Sequence, residues 1–436
     1  MKFRCGSRVT FYYLISLLLL LPIPVIFYYL ISLNSISRSN SYDDVHLLMP
    51  GIRQSLVVAS NSSTQNGKMI KKILFWTSFF EMKDFGFGLG QNPFIQAKCR
   101  VANCLATTDR SLLNQADAVM FHPVNLDPND LPPHRMSHQR YVFFFYEANV
   151  YFRSLPTFQN PAINRRFFNW TMTYRRDSDI YGSRYTSIRR RHHPSHAVLT
   201  LDKFPSTSTP DELPPDPVTF WQFSGNQSQQ EKHPVLANRT KWVAWFVSNC
   251  KTSSLREVFF RQMAKFIPVD IYGDCGTLKC TRTNDGQCDT LLDSYKFYIS
   301  AENSLCADYV TEKFYRALAS DIVPIVYGGA DYSAYAPPHS YINAADFESP
   351  QSLAEHLLLL DRNPRLYAKY VDWKRDWQMS KLAISSDSFC RLCEKLNDNN
   401  NNISFKIYED MADWLYDKVP CLPGTSVMAK YDLHFN

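Results

Sequence analysis

The segment from Phe297 to Asp331 decides the fold, and it reads FYISAENSLCADYVTEKFYRALASDIVPIVYGGAD. An apolar run is followed by a polar loop, an amphipathic stretch from Thr311 and a second apolar run. This pattern predicts a strand, a loop, a helix and a strand, the repeating unit of a parallel α/β sheet. Lys313 lies in the first turn of that helix. A helix N-terminus offers free backbone N–H groups and a positive dipole end, so this position suits a diphosphate.

The same alternation of strands and helices extends towards the N-terminus. The apolar runs Ile73–Trp76, Ala118–Phe121 and Tyr141–Tyr146 are continuous rather than alternating, which is typical of strands covered on both faces of a parallel sheet. Residues 204–240 are rich in proline and polar residues, and we interpret them as a loop with a domain boundary.

A second series begins after that boundary. Trp242–Val247 predicts a strand, and Ser254-x-x-Glu257 resembles a capping box that opens a helix reaching to about Phe266. The two series predict an α/β fold of two Rossmann-like, doubly wound domains that face a cleft, with the substrates at the C-terminal ends of the strands.

The N-terminus predicts a membrane anchor. Residues 11–33 are almost wholly apolar and carry no charge, which is long enough to span a hydrocarbon core of ~30 Å. Lys2, Arg4 and Arg8 precede them and favour a cytoplasmic N-terminus. The alternative is a cleaved signal peptide, whose apolar region would be shorter, ~7–15 residues. We therefore predict a cytoplasmic tail at 1–10, an anchor at 11–33 and a Ser- and Asn-rich stem at 34–70.

Sequons and cysteines agree with a luminal domain. N-glycosylation is predicted at Asn61, Asn169, Asn226, Asn238 and Asn402. Of the 11 cysteines, Cys5 lies on the cytoplasmic side, and the remaining ten, an even number, suit disulfides in an oxidising compartment. A redox or zinc site at Cys390-x-x-Cys393 is the alternative, but the chain has no second motif of this kind.

The charge of the chain argues against nucleic acid as a partner. The net charge is +6 with a pI near 8.6, and no zinc-finger or recognition-helix pattern accompanies it. The run Arg189–His193 is interpreted as a solvated loop, with contact to a phosphate or a membrane surface as the alternative. Motifs of serine hydrolases, zinc proteases and phosphate-loop enzymes are also missing from the sequence.

Three sets of residues are candidates for chemistry. Lys313 and Arg256 lie early in helices that follow strands and suit a diphosphate, although Arg256 could instead form a surface ion pair with Glu257 or Asp270. Glu147 ends an apolar strand, where partial desolvation would raise its pKa and make it a better base; the alternative is a solvated carboxylate.

An Asp-x-Asp pair is the third set. Asp177 and Asp179 resemble the metal-binding pair of many sugar transferases. The flanking arginines, Arg175 and Arg176, favour a structural ion-pair network at least as strongly. We therefore predict no metal site.

Several segments resemble the α1,3-fucosyltransferases, a GT-B family that uses GDP-fucose. They span most of residues 72–395 and comprise Glu302–Ser304, Asp308–Lys313, Val323–Val326, Asn169–Ile180, Trp245–Cys250 with Arg256, and Cys390-x-x-Cys393. The resemblance implies an N-terminal acceptor domain at 71–225, a GDP-fucose domain at 240–375 and a tail at 376–436 that packs back on the N-terminal domain.

The resemblance also implies roles for individual residues. Glu147 takes the position of the general base, and Arg256 and Lys313 take those that bind the diphosphate. Asn303, Tyr309 and Glu312 match positions that contact the ribose or fucose. No metal cofactor is required, and stimulation by Mn²⁺ or another divalent cation stays open. Cys99 and Cys104 are implied to pair with Cys390 and Cys393.

The function implied is inverting α1,3-fucosylation of GlcNAc on glycoprotein N-glycans, in the Golgi membrane. Outer-arm LacNAc or LacdiNAc is favoured slightly over the Asn-linked core GlcNAc. The alternatives are a catalytically silent glycan-binding relative and a transferase for another nucleotide sugar. The chain departs from the family at Gly182, where many members have proline, and after Glu147, where Ala-Asn-Val replaces Ser-Pro.

Overall fold

The structure is a computed structural model. It describes residues 69–151, 155–182, 188–190, 238–280, 287–320, 322–379, 386–398, 406–419 and 421–433. The predicted anchor and all but the last two residues of the predicted stem lie outside these ranges. In the part of the chain that is described, no helix combines the length and the apolar character needed to span a membrane.

Six parallel strands form the sheet of an N-terminal lobe. They are β1 (Lys71–Phe75), β2 (Cys104–Thr107), β3 (Ala118–Phe121), β4 (Arg140–Phe145), β5 (Trp170–Thr173) and β6 (Ile180–Tyr181), in the spatial order β2-β1-β3-β4-β5-β6. Every residue of β3 and β5 is buried, which explains their continuous apolar or uncharged runs. The lobe also contains α1 (Asn92–Gln96), α2 (Pro156–Gln159), α3 (Pro161–Asn164) and two 3₁₀ helices, Arg110–Gln115 and Asn149–Tyr151.

One strand lies outside that sheet. β7 (Ile188–Arg190) pairs with a strand near the C-terminus, described below. The predicted basic loop at Arg189–His193 therefore begins inside a strand, and its last three residues lie outside the described ranges.

Five parallel strands form the sheet of a C-terminal lobe. They are β8 (Lys241–Phe246), β9 (Val269–Tyr272), β10 (Tyr295–Ala301), β11 (Val323–Tyr327) and β12 (Ile342–Asn343), in the order β12-β11-β10-β8-β9. The helices are α4 (Arg256–Met263), α5 (Gln287–Leu291), α6 (Glu312–Ala319), α7 (Pro350–Arg362) and α8 (Pro364–Lys369), with 3₁₀ turns at Leu292–Ser294, Tyr332–Ala334, Ala344–Asp346 and Asp372–Arg375. β13 (Trp377–Met379) pairs antiparallel with β7.

The two sheets share one topology. Counted within each lobe, both follow the order 2-1-3-4-5, and the N-terminal sheet adds a sixth strand. The strand order reverses between β1 and β3 and between β8 and β10. In doubly wound sheets, ligands bind outside the carboxyl ends of the strands at such a reversal. The predicted α/β fold with parallel sheets is confirmed.

The C-terminal tail packs on both lobes, whereas the predicted domain assignment placed all of residues 376–436 on the N-terminal one. Helix α9 (Ser386–Leu396) and a π-helical turn at Asp413–Asp417 pack on the N-terminal lobe, as expected. The chain then returns to the C-terminal lobe, where α10 (Gly424–Lys430) places Met428 and Tyr431 in the core. Apolar side chains beyond Asp417 drive this return, because they complete the C-terminal core.

All ten cysteines from Cys99 onward form disulfides. Cys99 is joined to Cys390 and Cys104 to Cys393, as the family resemblance implied. The pairs that spacing left open are Cys250–Cys275, Cys280–Cys288 and Cys306–Cys421.

The predicted capping box at Ser254 is wrong. The residue that precedes α4 is Leu255, with a φ of +56° and no side-chain cap. The Ser254 hydroxyl instead donates to the Glu302 carbonyl at 2.8 Å, and Glu257 accepts from the backbone N–H and hydroxyl of Thr252. Tertiary contacts with the end of β10 have replaced the local cap.

Candidate active site

The two lobes meet at the carboxyl ends of their strands. Tyr146, Tyr174 and Tyr181 of the N-terminal lobe face Asp308–Thr311 and Tyr335 of the C-terminal lobe. The rings of Tyr174 and Tyr309 lie 5.0 Å apart. Asp308 accepts hydrogen bonds from the Arg176 backbone at 3.0 Å and from the Tyr335 hydroxyl at 3.0 Å. The loop before α6 is therefore held directly against the N-terminal lobe.

Lys313 lies in the first turn of α6, as predicted, and a buried carboxylate lies beneath it. Its Nζ is 2.9 Å from the Thr311 hydroxyl, 3.0 Å from Glu312 and 3.5 Å from Glu302. The Glu302 side chain is completely buried, and it also accepts from the backbone N–H and the hydroxyl of Thr311. This network fixes the ammonium group at the N-terminus of the helix.

Glu302 is the residue that the sequence analysis did not assign. Burial raises the pKa of its carboxyl above the ordinary value, and the Lys313 charge and the Thr311 hydrogen bonds offset only part of this rise. The signal that could have found it is a carboxylate at the end of an apolar strand, followed eleven residues later by a lysine in a helix first turn. A charged group at this depth needs a partner.

Arg256 begins α4 and is only 3% exposed. Its guanidinium donates to the carbonyls of Ala301 and Asn249, at 2.5 and 3.2 Å. The alternative of a surface ion pair with Glu257 or Asp270 is not what the structure shows, because Glu257 bonds Thr252 and Asp270 bonds Lys241. Arg256 thus ties together the ends of β8 and β10, at the reversal of strand order.

The three remaining donor candidates surround Lys313. Asn303 follows Glu302, and its carbonyl accepts from the Ser254 backbone at 3.1 Å. Tyr309 is 3% exposed and packs against Tyr174, and Glu312 pairs with Lys313. All three therefore lie within the loop and helix turn that carry the ammonium group.

Glu147 lies at the carboxyl end of β4 and is half-buried. It directly follows Tyr146, which lines the contact between the lobes and whose hydroxyl is 2.6 Å from that of Ser388 on α9. Two residues later, the Asn149 amide donates to the Leu415 carbonyl at 2.6 Å. The segment that carries Glu147 is thus held by the C-terminal tail on both sides.

The Asp-x-Asp pair forms ion pairs, one with a flanking arginine, as expected, and one with a lysine of the C-terminal tail. Asp177 makes a two-pronged contact with Arg175, at 2.9 and 2.6 Å. Asp179 accepts from Lys406 at 2.7 Å and from the Tyr408 hydroxyl at 2.8 Å. Both carboxylates hold the C-terminal tail or its supports in place.

The sequons differ in accessibility. Asn169 is completely buried, and its amide bonds Arg135, the Tyr141 backbone and the Lys406 carbonyl. A glycan on this nitrogen does not fit the folded chain, so the prediction at Asn169 is contradicted by its burial. Asn238 is exposed in a turn. Asn61, Asn226 and Asn402 lie outside the described residues.

Two family profiles match the chain. The profile "Fucosyltransferase, N-terminal" matches residues 68–185, and "Glycosyltransferase family 10 (fucosyltransferase) C-term" matches residues 236–414. Alpha-(1,3)-fucosyltransferase C of Drosophila melanogaster is 34% identical over 383 residues, which cover 84% of each chain. Glycoprotein 3-alpha-L-fucosyltransferase A of the same organism is 34% identical over 331 residues, 74% of this chain and 57% of that protein. A crystal structure of an alpha1,3-fucosyltransferase with GDP aligns with a TM-score of 0.45 and 17% identity, covering 78% of this chain and 94% of that one.

Proposed function

The chain belongs to glycosyltransferase family 10, the fucosyltransferases, and we propose that it transfers L-fucose from GDP-fucose to the 3-hydroxyl of GlcNAc on glycoprotein N-glycans. The single observation that carries the proposal is the placement of Lys313. Its ammonium lies at a helix N-terminus beside the reversal of strand order, where a diphosphate is expected. The names of the two Drosophila relatives support the α1,3 linkage and a glycoprotein acceptor.

The proposed reaction is a direct displacement with inversion. Glu147 takes the proton from the acceptor 3-hydroxyl as that oxygen attacks C1 of fucose. The C1–O bond to GDP breaks, and its electron pair leaves with the diphosphate. Lys313 and Arg256 neutralise the charge that develops on the diphosphate. The Arg256 guanidinium also holds the loop after β8 against the end of β10. Asn303, Tyr309 and Glu312 orient the ribose or the fucose.

We propose that transfer needs no metal ion. The carboxylates of Asp177 and Asp179 are already paired with cations, and the ammonium of Lys313 lies where the diphosphate is expected. The expected outcome is transfer that continues in EDTA, and loss of transfer in EDTA would contradict this part of the proposal. Any stimulation by Mn²⁺ would then be additional.

The acceptor and the location of the enzyme are further parts of the proposal. We favour an outer-arm GlcNAc, since a rat relative 29% identical to this chain is named a 4-galactosyl-N-acetylglucosaminide 3-alpha-L-fucosyltransferase. The Asn-linked core GlcNAc is the second acceptor to test. The apolar residues 11–33 favour a Golgi enzyme with a single N-terminal anchor and a luminal catalytic part.

The test is transfer by the full-length protein to outer-arm and core glycans, with linkage determined on the product. Glu147→Gln is expected to lower kcat by about 10²–10⁴-fold, the usual contribution of a general base. Glu81→Gln is the matched control, because Glu81 is exposed on the same lobe. No transfer to any acceptor despite GDP binding would instead indicate a glycan-binding relative, and transfer of another sugar would contradict the donor.

Lys313 needs a more careful variant, because Lys313→Ala would leave the buried Glu302 without its cation. The double variant Lys313→Ala/Glu302→Gln removes that problem. If Lys313 binds the diphosphate, the double variant folds but stays inactive. Recovery of activity in the double variant would show that the lysine only supports the fold.

A further inference from the structure

A second cavity adjoins the cleft on the N-terminal lobe. It lies between α9 and the edge strand β6, and its volume is about 730 Å³, within the ~300–1,000 Å³ typical of ligand sites. Tyr181 lines both this cavity, called here the α9 groove, and the contact between the lobes. A molecule bound in the α9 groove would therefore lie next to the proposed site of transfer.

Helix α9 gives the groove one of its walls. Phe389, Leu392 and Cys393 are completely buried against the sheet. Arg391, Glu394 and Lys395 follow the spacing of one helical face and line the groove, and Asp398 lines it just beyond the end of the helix. A polar helix face usually meets only solvent, whereas this one lies across a cavity from the loop that leads into β6.

The charges in the groove are balanced. Arg391 pairs with Asp387 at 3.0 Å, Asp179 with Lys406 at 2.7 Å, and Arg100 with Glu394. A groove with paired charges and many hydrogen-bonding groups fits an uncharged, polyhydroxylated ligand better than an anion. The ring of Tyr181 also lines the groove, so the groove combines an aromatic side chain with polar groups.

The wall is held rigidly. Two disulfides fix α9 to the segment Cys99–Cys104, and the Asn397 side chain bonds that of Asn103 at 2.6 Å. A site fixed in this way needs little reorganisation to bind.

We propose that the α9 groove binds neutral sugars of the N-glycan arm beyond the GlcNAc that receives fucose. The proposal rests on the proposed function, because it extends the acceptor site of the same enzyme. Binding in the groove lowers KM for long acceptors relative to short ones, because the distant sugars add binding without touching the reacting atoms.

The test compares a LacNAc disaccharide with a complete, uncharged biantennary N-glycan that carries the same terminal unit. Arg391→Ala/Lys395→Ala in the full chain is expected to raise KM for the N-glycan about tenfold or more, from loss of charge-assisted hydrogen bonds. KM for the disaccharide and kcat for both are expected to stay the same. Lys369→Ala on α8 is the control, since Lys369 is an exposed helical lysine of the other lobe.

An equal change with both acceptors, or none with either, would overturn the proposal. Thermal unfolding of the double variant shows whether a loss reflects misfolding; if so, Lys395→Gln alone replaces it. If the unmodified protein transfers fucose to neither acceptor, the proposed function fails, and calorimetric binding of the N-glycan tests the groove alone. Binding that the double variant loses supports the groove, and equal binding by both proteins rejects it.

Discussion

At the scale of single residues, the pair of Glu302 and Lys313 links stability to chemistry. The carboxylate of Glu302 is fully buried and the ammonium of Lys313 is 14% exposed. A carboxylate at this depth is tolerated because a cation and the hydroxyl of Thr311 contact it. The residue proposed to bind the diphosphate is therefore also needed to keep the end of β10 folded.

We predict that Lys313→Ala lowers the free energy of unfolding by about 3–5 kcal/mol, the usual cost of leaving a buried charge unpaired. In Lys313→Ala/Glu302→Gln, most of this loss is expected to be recovered, since an uncharged amide still accepts from Thr311. Urea unfolding of the two variants measures the difference. Equal stability of the single and double variants would show that Glu302 is not charged beneath the lysine.

A second prediction concerns Gly182, which follows the edge strand β6 and faces α9. A Cβ there would lie 1.8 Å from the Ser388 hydroxyl and 2.7 Å from its Cβ. Gly182→Ala is therefore expected to destabilise the protein by about 1–3 kcal/mol through overpacking. The measurement is thermal unfolding.

The control for this prediction is Ser388→Gly, which removes both obstructing atoms. Because the clash needs both side chains, the loss from Gly182→Ala should be smaller in the Ser388→Gly background. Additive losses would contradict close packing of β6 against α9. The same packing leaves no room for a larger side chain at position 182.

At the scale of elements, His356 couples helix α7 to pH. Its ring contacts Phe347 and lies 3.3 Å from the Tyr370 hydroxyl. Burial lowers the pKa of this imidazole, so the unfolded chain binds a proton at a higher pH than the folded chain does. The contribution of the His356 imidazole to the free energy of unfolding is therefore present above its pKa in the unfolded chain, about 6.5. It is lost as the pH falls towards the lower pKa of the imidazole in the folded chain.

We predict that His356→Gln reduces the loss of stability between pH 7.5 and pH 5. His356 makes the free energy of unfolding change with pH by at most about 1.4 kcal/mol per pH unit, and this contribution is absent from the variant. Urea unfolding at the two pH values measures it, and His138→Gln, at an exposed position, should leave the pH dependence unchanged. A pH dependence that is the same with and without His356 would contradict the prediction.

The strands with long, continuous apolar runs were predictable from the sequence within one or two residues. Ala118–Phe121 matches the observed strand, and Tyr141–Tyr146 is shifted from it by one residue. The start of α4 was not predictable, because the hydroxyl of Ser254 donates to the carbonyl of Glu302, just after β10 and forty-eight residues away in sequence. Local capping patterns carry no information about such a partner.

At the scale of the whole molecule, two disulfides act as one cross-link. Cys99–Cys390 and Cys104–Cys393 each close a loop of about 290 residues, with separations of 291 and 289. Once one is formed, the other closes a ring of only a few residues. Loop entropy then predicts a loss of about 2–3 kcal/mol for removing either bond and about 8 kcal/mol for removing both.

The measurement is unfolding of Cys99→Ser/Cys390→Ser, Cys104→Ser/Cys393→Ser and the fourfold variant. Cys280→Ser/Cys288→Ser serves as the control, since it opens a loop with a separation of only eight residues. A fourfold variant whose loss equals the sum of the two double variants would show that the bonds stabilise independently.

The sequence predicted the site's components better than its assembly. Lys313 could be placed at a helix N-terminus from pattern alone, but the path of the C-terminal tail could not. That path depends on contacts between segments hundreds of residues apart, such as Asn149 with Leu415. The tail divides between the lobes because its apolar side chains join two different cores. The segments that carry them are too short for these side chains to form a periodic pattern in the sequence.

That divided path sets the order in which the protein can mature during synthesis. The N-terminal lobe is translated first, yet its core includes Met411, Trp414 and Leu415. The core of the C-terminal lobe includes Met428 and Tyr431, which are translated later still. Neither core can therefore be completed before the segment from Met411 to Tyr431 has left the ribosome, and the earlier part of the nascent chain must be protected until then.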